Sequence, residues 1–567
     1  MIAGSANEAT SATATARTLV IALVAHGVRH VVLAPGSRSA PLAYALHDAE
    51  RAGWLTLHVR LDERGVGFLA LGIARGSGRP VAVVTTSGTA VANLHPAVLE
   101  AAHSGVPLIV LSADRPHEMR GTGANQTTDQ VGIFGAAVRH AVDLPAAPAP
   151  GSLAQIVTRA LAAARGLRTN DPGPVHLNIG LRDPLVPEAP WNAGAPPTHR
   201  DVVAPTSAPA AATLPRGPRT VVVAGDGAGP AARALAEQAA WPLLAEPTSG
   251  ARSGPTAIGP YRLLLTEPAL GGAVERVVLL GHPTLSRPVS GLLGRADVEV
   301  VVVAPHGAWT DVAGTASRVV GAVDLQDVAP GPGRMAGQEW LTSWQRAAEA
   351  ATTVIERSLD AGTEGPGLDG LQVAGETWAA RGVGALVVGS SNPIRDLDLI
   401  APPAADGAPP VLANRGLAGI DGTLATATGV ALGLDLPVRA LVGDLTFLHD
   451  AGSLARGALE CDVDLQVVVA NDGGGSIFAT LEHGAPERAA TYERLFGTPQ
   501  DVDLAALAAA YGARYVRVTT AGDLRATLQA PLRGRSVVEV AVDRSNIRAR
   551  RRELAAAVSR AVRPVLG

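Results

Sequence analysis

RALVGDLTFLHD (Arg439–Asp450) and LQVVVANDGGGSIF (Leu465–Phe478) decide how this chain is read. Each begins as an apolar run of strand length and breaks off abruptly at oxygen-bearing side chains and glycine. Asp444 ends the first run. Asn471 and Asp472 end the second, and Gly473, Gly474 and Gly475 follow them. Twenty-seven residues separate Asp444 from Asn471. That is room for a strand end, a crossover helix and a second, parallel strand, so both side chains are expected at one sheet edge. A carboxylate and an amide oxygen there suit a hard cation such as Mg²⁺, which keeps positions open for phosphate oxygens; Mn²⁺ fits the same donors. The three glycines are expected to let backbone approach a diphosphate and to present N–H groups to it.

The same grammar recurs along the chain. HVVLAPGSRS, PVAVVTTSGTA, PLIVLSADRP, TVVVAGDGAG, RVVLLGHPT, VEVVVVAPHG, ALVVGSSNP and SVVEVAVDRS are buried-strand runs alternating with Ala-rich helical stretches. This pattern predicts an α/β protein with mostly parallel sheets, whose ligands bind at the carboxyl edges of strands. A Pro- and Ala-rich stretch near 186–218 and a weaker break near 360–370 divide the 567 residues into three α/β domains. Their expected bounds are 1–190, 216–355 and 370–567, with a linker over 191–215.

Composition excludes several classes of chemistry. A net charge of −4 gives no reason to expect nucleic acid as a partner. No apolar run is long enough to span a bilayer, and the N-terminal stretch does not read as a signal peptide, so a cytoplasmic protein is expected. One cysteine, Cys461, argues against disulfides and thiolate metal sites. All 47 basic residues are Arg, which excludes a Schiff-base lysine and a P-loop lysine. TVVVAGDGAGP raises the alternative of a Rossmann-type dinucleotide-binding protein. Its glycine fingerprint is incomplete and no Asn occurs between Asn192 and Asn392 to partner its Asp, so it reads as a structural turn. Arg550, Arg551 and Arg552 read as a solvated helix face.

Glu63, in LHVRLDERGVGFLALGIARG (Leu57–Gly76), lies between a short strand and a helix of small and apolar residues. Alone it reads as an ordinary carboxylate in the first turn of a helix. Together with Gly-Asp…Asn in a C-terminal α/β unit, it resembles the thiamin diphosphate (ThDP) enzymes. APGSRSAPL (Ala34–Leu42), SADRPHEMRGTGANQTTDQVGIFG (Ser112–Gly135), ANRGLAGIDGTLATATGVALG (Ala413–Gly433) and GDLTFLHD (Gly443–Asp450) narrow the resemblance. They are similar to 2-succinyl-5-enolpyruvyl-6-hydroxy-3-cyclohexene-1-carboxylate (SEPHCHC) synthases of menaquinone biosynthesis. Another ThDP-dependent 2-oxo acid decarboxylase, or an acetolactate synthase-like enzyme, is the alternative within the superfamily.

The resemblance implies the ThDP-binding fold and assigns roles. Glu63 is the catalytic carboxylate that hydrogen-bonds the cofactor's aminopyrimidine ring. Asp444, Asn471 and the carbonyl of Gly473 hold the metal. Ser391, Ile420, Gly443, Leu445 and Gly474 complete the cofactor site, Leu445 standing where the superfamily usually has a second glycine. The substrates implied are 2-oxoglutarate and isochorismate, which together carry four carboxylates; Arg forks suit such groups. Arg38, Arg115, Arg287, Arg395 and Arg415 match substrate-binding positions, with Asn125, Gln126 and Phe478. At least a homodimer with shared active sites is expected, Glu63 of one chain facing Asp444 and Asn471 of the other.

Overall fold

A computed structural model describes residues 11–200, 203–205, 211–326, 332–361 and 368–567. The chain packs as two compact units. The first comprises Met1–Ser207, Asn414–Leu436 and His449–Val463; the second comprises Ala208–Ala413, Pro437–Leu448 and Asp464–Gly567.

The first unit is built on a six-stranded parallel sheet: β1 (His30–Leu33), β2 (Thr56–Val59), β3 (Val81–Thr85), β4 (Leu108–Asp114), β5 (His140–Leu144) and β6 (Val175–Gly180), in the order β2-β1-β3-β4-β6-β5. Runs such as VAVVT and LIVLSAD are buried along their whole length. Alternate residues enter separate cores on opposite faces: Val31, Ala82 and Ile109 on one side, Val32, Val83 and Val110 on the other. Such two-sided burial is what a continuous apolar strand requires. The helix Glu63–Ser77 lies on the second face and meets the helix Thr423–Leu434 through glycine. A Cβ on Gly72 would lie 2.1 Å from the Thr426 carbonyl oxygen, and one on Gly429 2.2 Å from that of Leu69. Only hydrogen at these positions permits so close a crossing. Buried Asp450 holds the start of Thr423–Leu434, its Oδ2 accepting from the N–H groups of Leu424 (2.7 Å) and Ala425 (3.0 Å).

Among the described residues the second unit carries three sheets. β8 (Thr220–Ala224), β9 (Leu243–Ala245), β10 (Arg276–Leu280), β11 (Glu299–Val303) and β12 (Ala316–Val320) run in the order β12-β11-β10-β8-β9. β7 (Ala211–Leu214) pairs with β13 (Ala322–Leu325), so part of the stretch expected as linker is a strand. β14 (Ala385–Val388), β15 (Val411–Leu412), β16 (Val438–Gly443), β17 (Leu465–Asn471), β18 (Arg514–Val518) and β19 (Arg535–Ala541) form the third sheet, ordered β15-β14-β16-β17-β19-β18. All named pairings are parallel.

Each large sheet falls inside one of the three expected α/β stretches, yet the packing division is twofold. Val221 and Val277 of the central sheet share one core with Leu386, Leu441 and Val538 of the C-terminal sheet. Two stretches of the expected C-terminal domain belong instead to the first unit. The GDGAG turn after β8 is closed on its own chain. A Cβ on Gly225 would lie 2.0 Å from the Pro283 nitrogen, and Asp226 bridges His282. This agrees with the structural reading of that motif. The arginines of RARRR are less free than expected. Arg550 pairs with Asp369 at 2.8 Å and Arg551 pairs with buried Asp396; Arg552 is exposed.

Candidate cofactor and substrate sites

β16 and β17 are neighbours, and their register ends with Gly443 opposite Ala470. Asp444 and Asn471 therefore leave the same carboxyl edge one residue later, as the spacing predicts. Asp444 is 5% exposed. Burial pushes its carboxyl up to about 6, against N–H hydrogen bonds from Leu445, its own backbone and Gly474. Asn471 is fixed at both ends of its amide: Nδ2 donates to Glu539 Oε1 (2.9 Å), and Oδ1 accepts from Gly473 N–H (3.1 Å).

Asp472 adds a feature that the spacing argument did not use. Burial pushes it up to about 7, and the nearby Asp444 charge pushes the same way, while the Ser476 hydroxyl donates to it. Its Oδ1 is buried without a hydrogen-bond partner. Two carboxylates raised by burial, one with an orphaned oxygen, beside an amide oxygen and a carbonyl make a donor set that a hard cation fits. Among the described residues no group of three His, Cys, Asp or Glu could hold a metal ion.

The three glycines have different surroundings. Gly473 has φ +71° and open space where a Cβ would project. Gly474 (φ +142°) and Gly475 are glycine because residues 496–497 press on them: their Cβ atoms would lie 2.1 Å and 2.2 Å from the carbonyl oxygens of Gly497 and Phe496. Their N–H groups are also engaged within the protein. Gly473 donates to Asn471, Gly474 to Asp444 and Asp472, and Gly475 to the Gly497 carbonyl (2.6 Å). The Gly473 N–H is thus met within the loop, by Asn471, and that of Gly475 from outside it, by Gly497.

Ser391 begins the helix Asn392–Ile400 after β14, makes no capping bond of its own, and has its Oγ 3.9 Å from where a Gly443 Cβ would be. Ser391, Gly443, Asp444, Leu445, Asn471, Gly473 and Gly474 are thereby gathered at one sheet edge. Half-buried Arg395 lies one turn into the helix after Ser391. Phe478 follows the glycine loop and packs against Phe496 and His483. Arg287 places both terminal nitrogens on Glu482 (2.8 and 3.2 Å) in an exposed pair.

In the first unit Glu63 is the first residue of its helix, after Asp62 as N-cap. It is half-buried, and its Oε2 accepts a long hydrogen bond from Asn93 Nδ2 (3.4 Å). Arg38 and Arg115 stand close enough for the Arg38 charge to act on Arg115. Burial first, and then that charge, holds the Arg115 guanidinium below its usual range. Arg38 Nη1 donates to the Leu181 carbonyl (2.9 Å) and to Asp183 (3.3 Å). Arg115 donates to Ser87 Oγ (2.9 Å) and to the Asn125 carbonyl (2.6 Å). Gln126, at φ +55°, donates from its side chain to the Ser87 carbonyl (2.9 Å). Two neighbouring guanidiniums beside a polar loop are chemistry that an anion fits. Arg415 is buried, and the adjacent Gly416 and Leu417 N–H groups are held by Glu100 (both 2.7 Å), a partner that sequence reading missed. Half-buried Ile420 precedes the helix Thr423–Leu434.

Residues 13–133 match the family model "Thiamine pyrophosphate enzyme, N-terminal TPP binding domain", and residues 405–542 match its C-terminal TPP binding domain. The first match contains Glu63, Arg38, Arg115, Asn125 and Gln126; the second contains Asp444, Asn471 and Gly473. A protein of Kineococcus radiotolerans is 54% identical over 97% of this chain and 99% of its own length. One of a Nocardioides species is 53% identical over 98% of each chain. One of an Arthrobacter species is 49% identical over 100% of this chain and 95% of its own. All three are named 2-succinyl-5-enolpyruvyl-6-hydroxy-3-cyclohexene-1-carboxylate synthase.

Proposed function

The chain belongs to the SEPHCHC synthase family of thiamin diphosphate-dependent enzymes, and on that premise we propose that it joins a succinyl unit from 2-oxoglutarate to isochorismate, with loss of CO₂, in menaquinone biosynthesis. The observation that carries the reading is the Asp444–Asn471–Gly473 edge with the orphaned Asp472 oxygen beside it. It is a donor set for a metal-bound diphosphate at the carboxyl end of a parallel sheet.

Bound ThDP supplies a nucleophilic thiazolium carbon and an electron sink for decarboxylation. The chain's residues do the rest. Asp444, Asn471 and the Gly473 carbonyl would hold Mg²⁺ or Mn²⁺. Ser391, Gly443, Leu445, Gly474 and Ile420 would line the cofactor. Glu63 would share a proton with the cofactor's aminopyrimidine ring. Arg38, Arg115, Arg395 and Arg415 orient substrate carboxylates, with Asn125, Gln126 and Phe478 shaping the pocket. Arg287 reaches substrate only by exchanging Glu482 for a substrate carboxylate. Glu63 and Asp444 belong to different compact units, separated by 381 residues. A two-fold homodimer in which each chain contributes one of them to each site meets the chemistry. A cytoplasmic setting suits these small-molecule substrates; no helix among the described residues is long and apolar enough to cross a membrane.

The test is an omission experiment. Purified protein with ThDP, Mg²⁺, 2-oxoglutarate and isochorismate is expected to consume isochorismate, and leaving out any one component is expected to stop it. Consumption that continues without ThDP or 2-oxoglutarate would contradict the proposal.

A further inference from the structure

Arg115 and Gln126 lean on one turn, Ser87–Gly88, just beyond β3. Arg115 Nη1 donates to Ser87 Oγ (2.9 Å), and that hydroxyl donates to the Gln126 carbonyl (2.8 Å). Gln126 Nε2 returns a bond to the Ser87 carbonyl (2.9 Å). Gly88 has φ +83°, and a Cβ there would lie 3.0 Å from Gln126 Cγ. The turn is gripped from behind by Gln130, which is 1% exposed. Gly88 N–H donates to Gln130 Oε1 (2.9 Å). Gln130 Nε2 donates to the Ala113 carbonyl at the end of β4 (3.3 Å) and to Asn178 Oδ1 on β6 (2.8 Å).

Asn178 makes this grip directional. Its Nδ2 donates to Asp114 (2.8 Å) and Asp143 (2.9 Å), and its Oδ1 accepts from Gln130 and from Ser112 Oγ (3.0 Å). With the Ser112 proton committed to Asn178, its oxygen must accept from His176 Nε2 (2.7 Å). That assigns the tautomer, and burial, which pushes His176 down to about 4, keeps the ring neutral near pH 7. Every proton in the network therefore has one place. Reversing the Gln130 amide would set its NH₂ against the Gly88 N–H and its oxygen against Asn178 Oδ1. Both contacts would be repulsive, so the amide has a single orientation.

We propose that Gln130 is a positioning residue for substrate binding: it locks the Ser87–Gly88 turn against which Arg115 is held. This rests on the reading that Arg115 faces a carboxylate substrate. Nothing in the sequence motif distinguishes Gln130 from its neighbouring amides. Its role comes from strand ends brought together by the sheet.

The test uses the full-length holoenzyme and steady-state kinetics with 2-oxoglutarate and isochorismate. Gln130→Leu is expected to raise KM roughly tenfold for whichever substrate Arg115→Ala impairs, with a smaller change in kcat and unchanged ThDP affinity. Ser87→Ala cuts the link one step nearer Arg115 while sparing the Gln130–Asn178 bond. It is expected to give the same KM rise, and serves alone if Gln130→Leu does not fold. In an Arg115→Ala background either substitution should cost much less than in the parent, because the group being positioned is gone. Unchanged KM in Ser87→Ala and in any folded Gln130→Leu overturns the inference. So does a penalty that multiplies in full on the Arg115→Ala background, since that would mark a general structural effect. If Arg115→Ala leaves both KM values unchanged, the substrate reading fails, and this inference with it.

Discussion

Glu63 is held loosely, by one long hydrogen bond from Asn93, at the first position of a helix whose next turns are fully buried. A carboxylate so placed can exchange a proton without disturbing the core. Glu63→Gln is expected to fold and melt as the parent does but to lose about 10²–10⁴ in turnover, because an amide cannot share the proton in the same way. Near-normal turnover would refute its assignment. A second prediction concerns His58, which is 4% exposed and stacked on His30, their facing nitrogens 3.2 Å apart. Only one of those nitrogens can carry a proton. Burial, and then the charges of His30 and Arg60, push His58 down to about 3. Below about pH 6.5 the unfolded chain takes up a proton that the folded chain refuses, so this site's contribution weakens as pH falls through that range. The stability of the parent relative to a His58→Phe variant should therefore drop by about 2 kcal/mol between about pH 7 and pH 5. Urea unfolding measures it, and a pH-independent difference would show that the pair does not titrate this way. Asp444 and Asn471 were legible because 27 residues is a crossover length. The surroundings of Asp472 and Gln130 were not, because they involve residues on other strands and loops.

The strands were legible as elements for a plain reason: parallel strands buried on both faces are continuous apolar runs. The contact between Glu63–Ser77 and Thr423–Leu434 was not. Its glycines looked like compositional background, and their purpose appears only where each helix brings its backbone against the other. Gly429→Ala puts a methyl group 2.2 Å from the Leu69 carbonyl oxygen, where the neighbour is backbone and cannot swing aside. A loss of about 1–3 kcal/mol in unfolding free energy is expected, as for other overpacked sites. An unchanged denaturation midpoint would mean that the two helices separate at little cost. The same logic explains the miscast RARRR segment. Its arginines were read as a solvated face, but Arg551 meets an Asp396 that only tertiary packing buries beside it.

For the whole chain, the three expected domains correspond to three large sheets, but the boundary near 360–370 does not separate two cores. Composition marks loops and linkers; it carries no record of which sheets share side chains. Stretches 414–436 and 449–463 illustrate the limit, since they follow second-unit strands in sequence and pack with the first unit. The proposed dimer makes its own prediction. Inactive Glu63→Gln and Asp444→Ala chains, mixed under subunit exchange, should recover part of the parent activity, because a mixed dimer holds one site with both defects and one with neither. No recovery despite demonstrated exchange would place each site within one chain. Decarboxylation coupled to carbon–carbon bond formation is read out with 2-oxoglutarate labelled at its carboxyl next to the ketone. Labelled CO₂ is expected to be released one for one with isochorismate consumed, only when ThDP is present, with pyruvate unable to replace 2-oxoglutarate. Labelled CO₂ without isochorismate loss, or equal use of pyruvate, would contradict it.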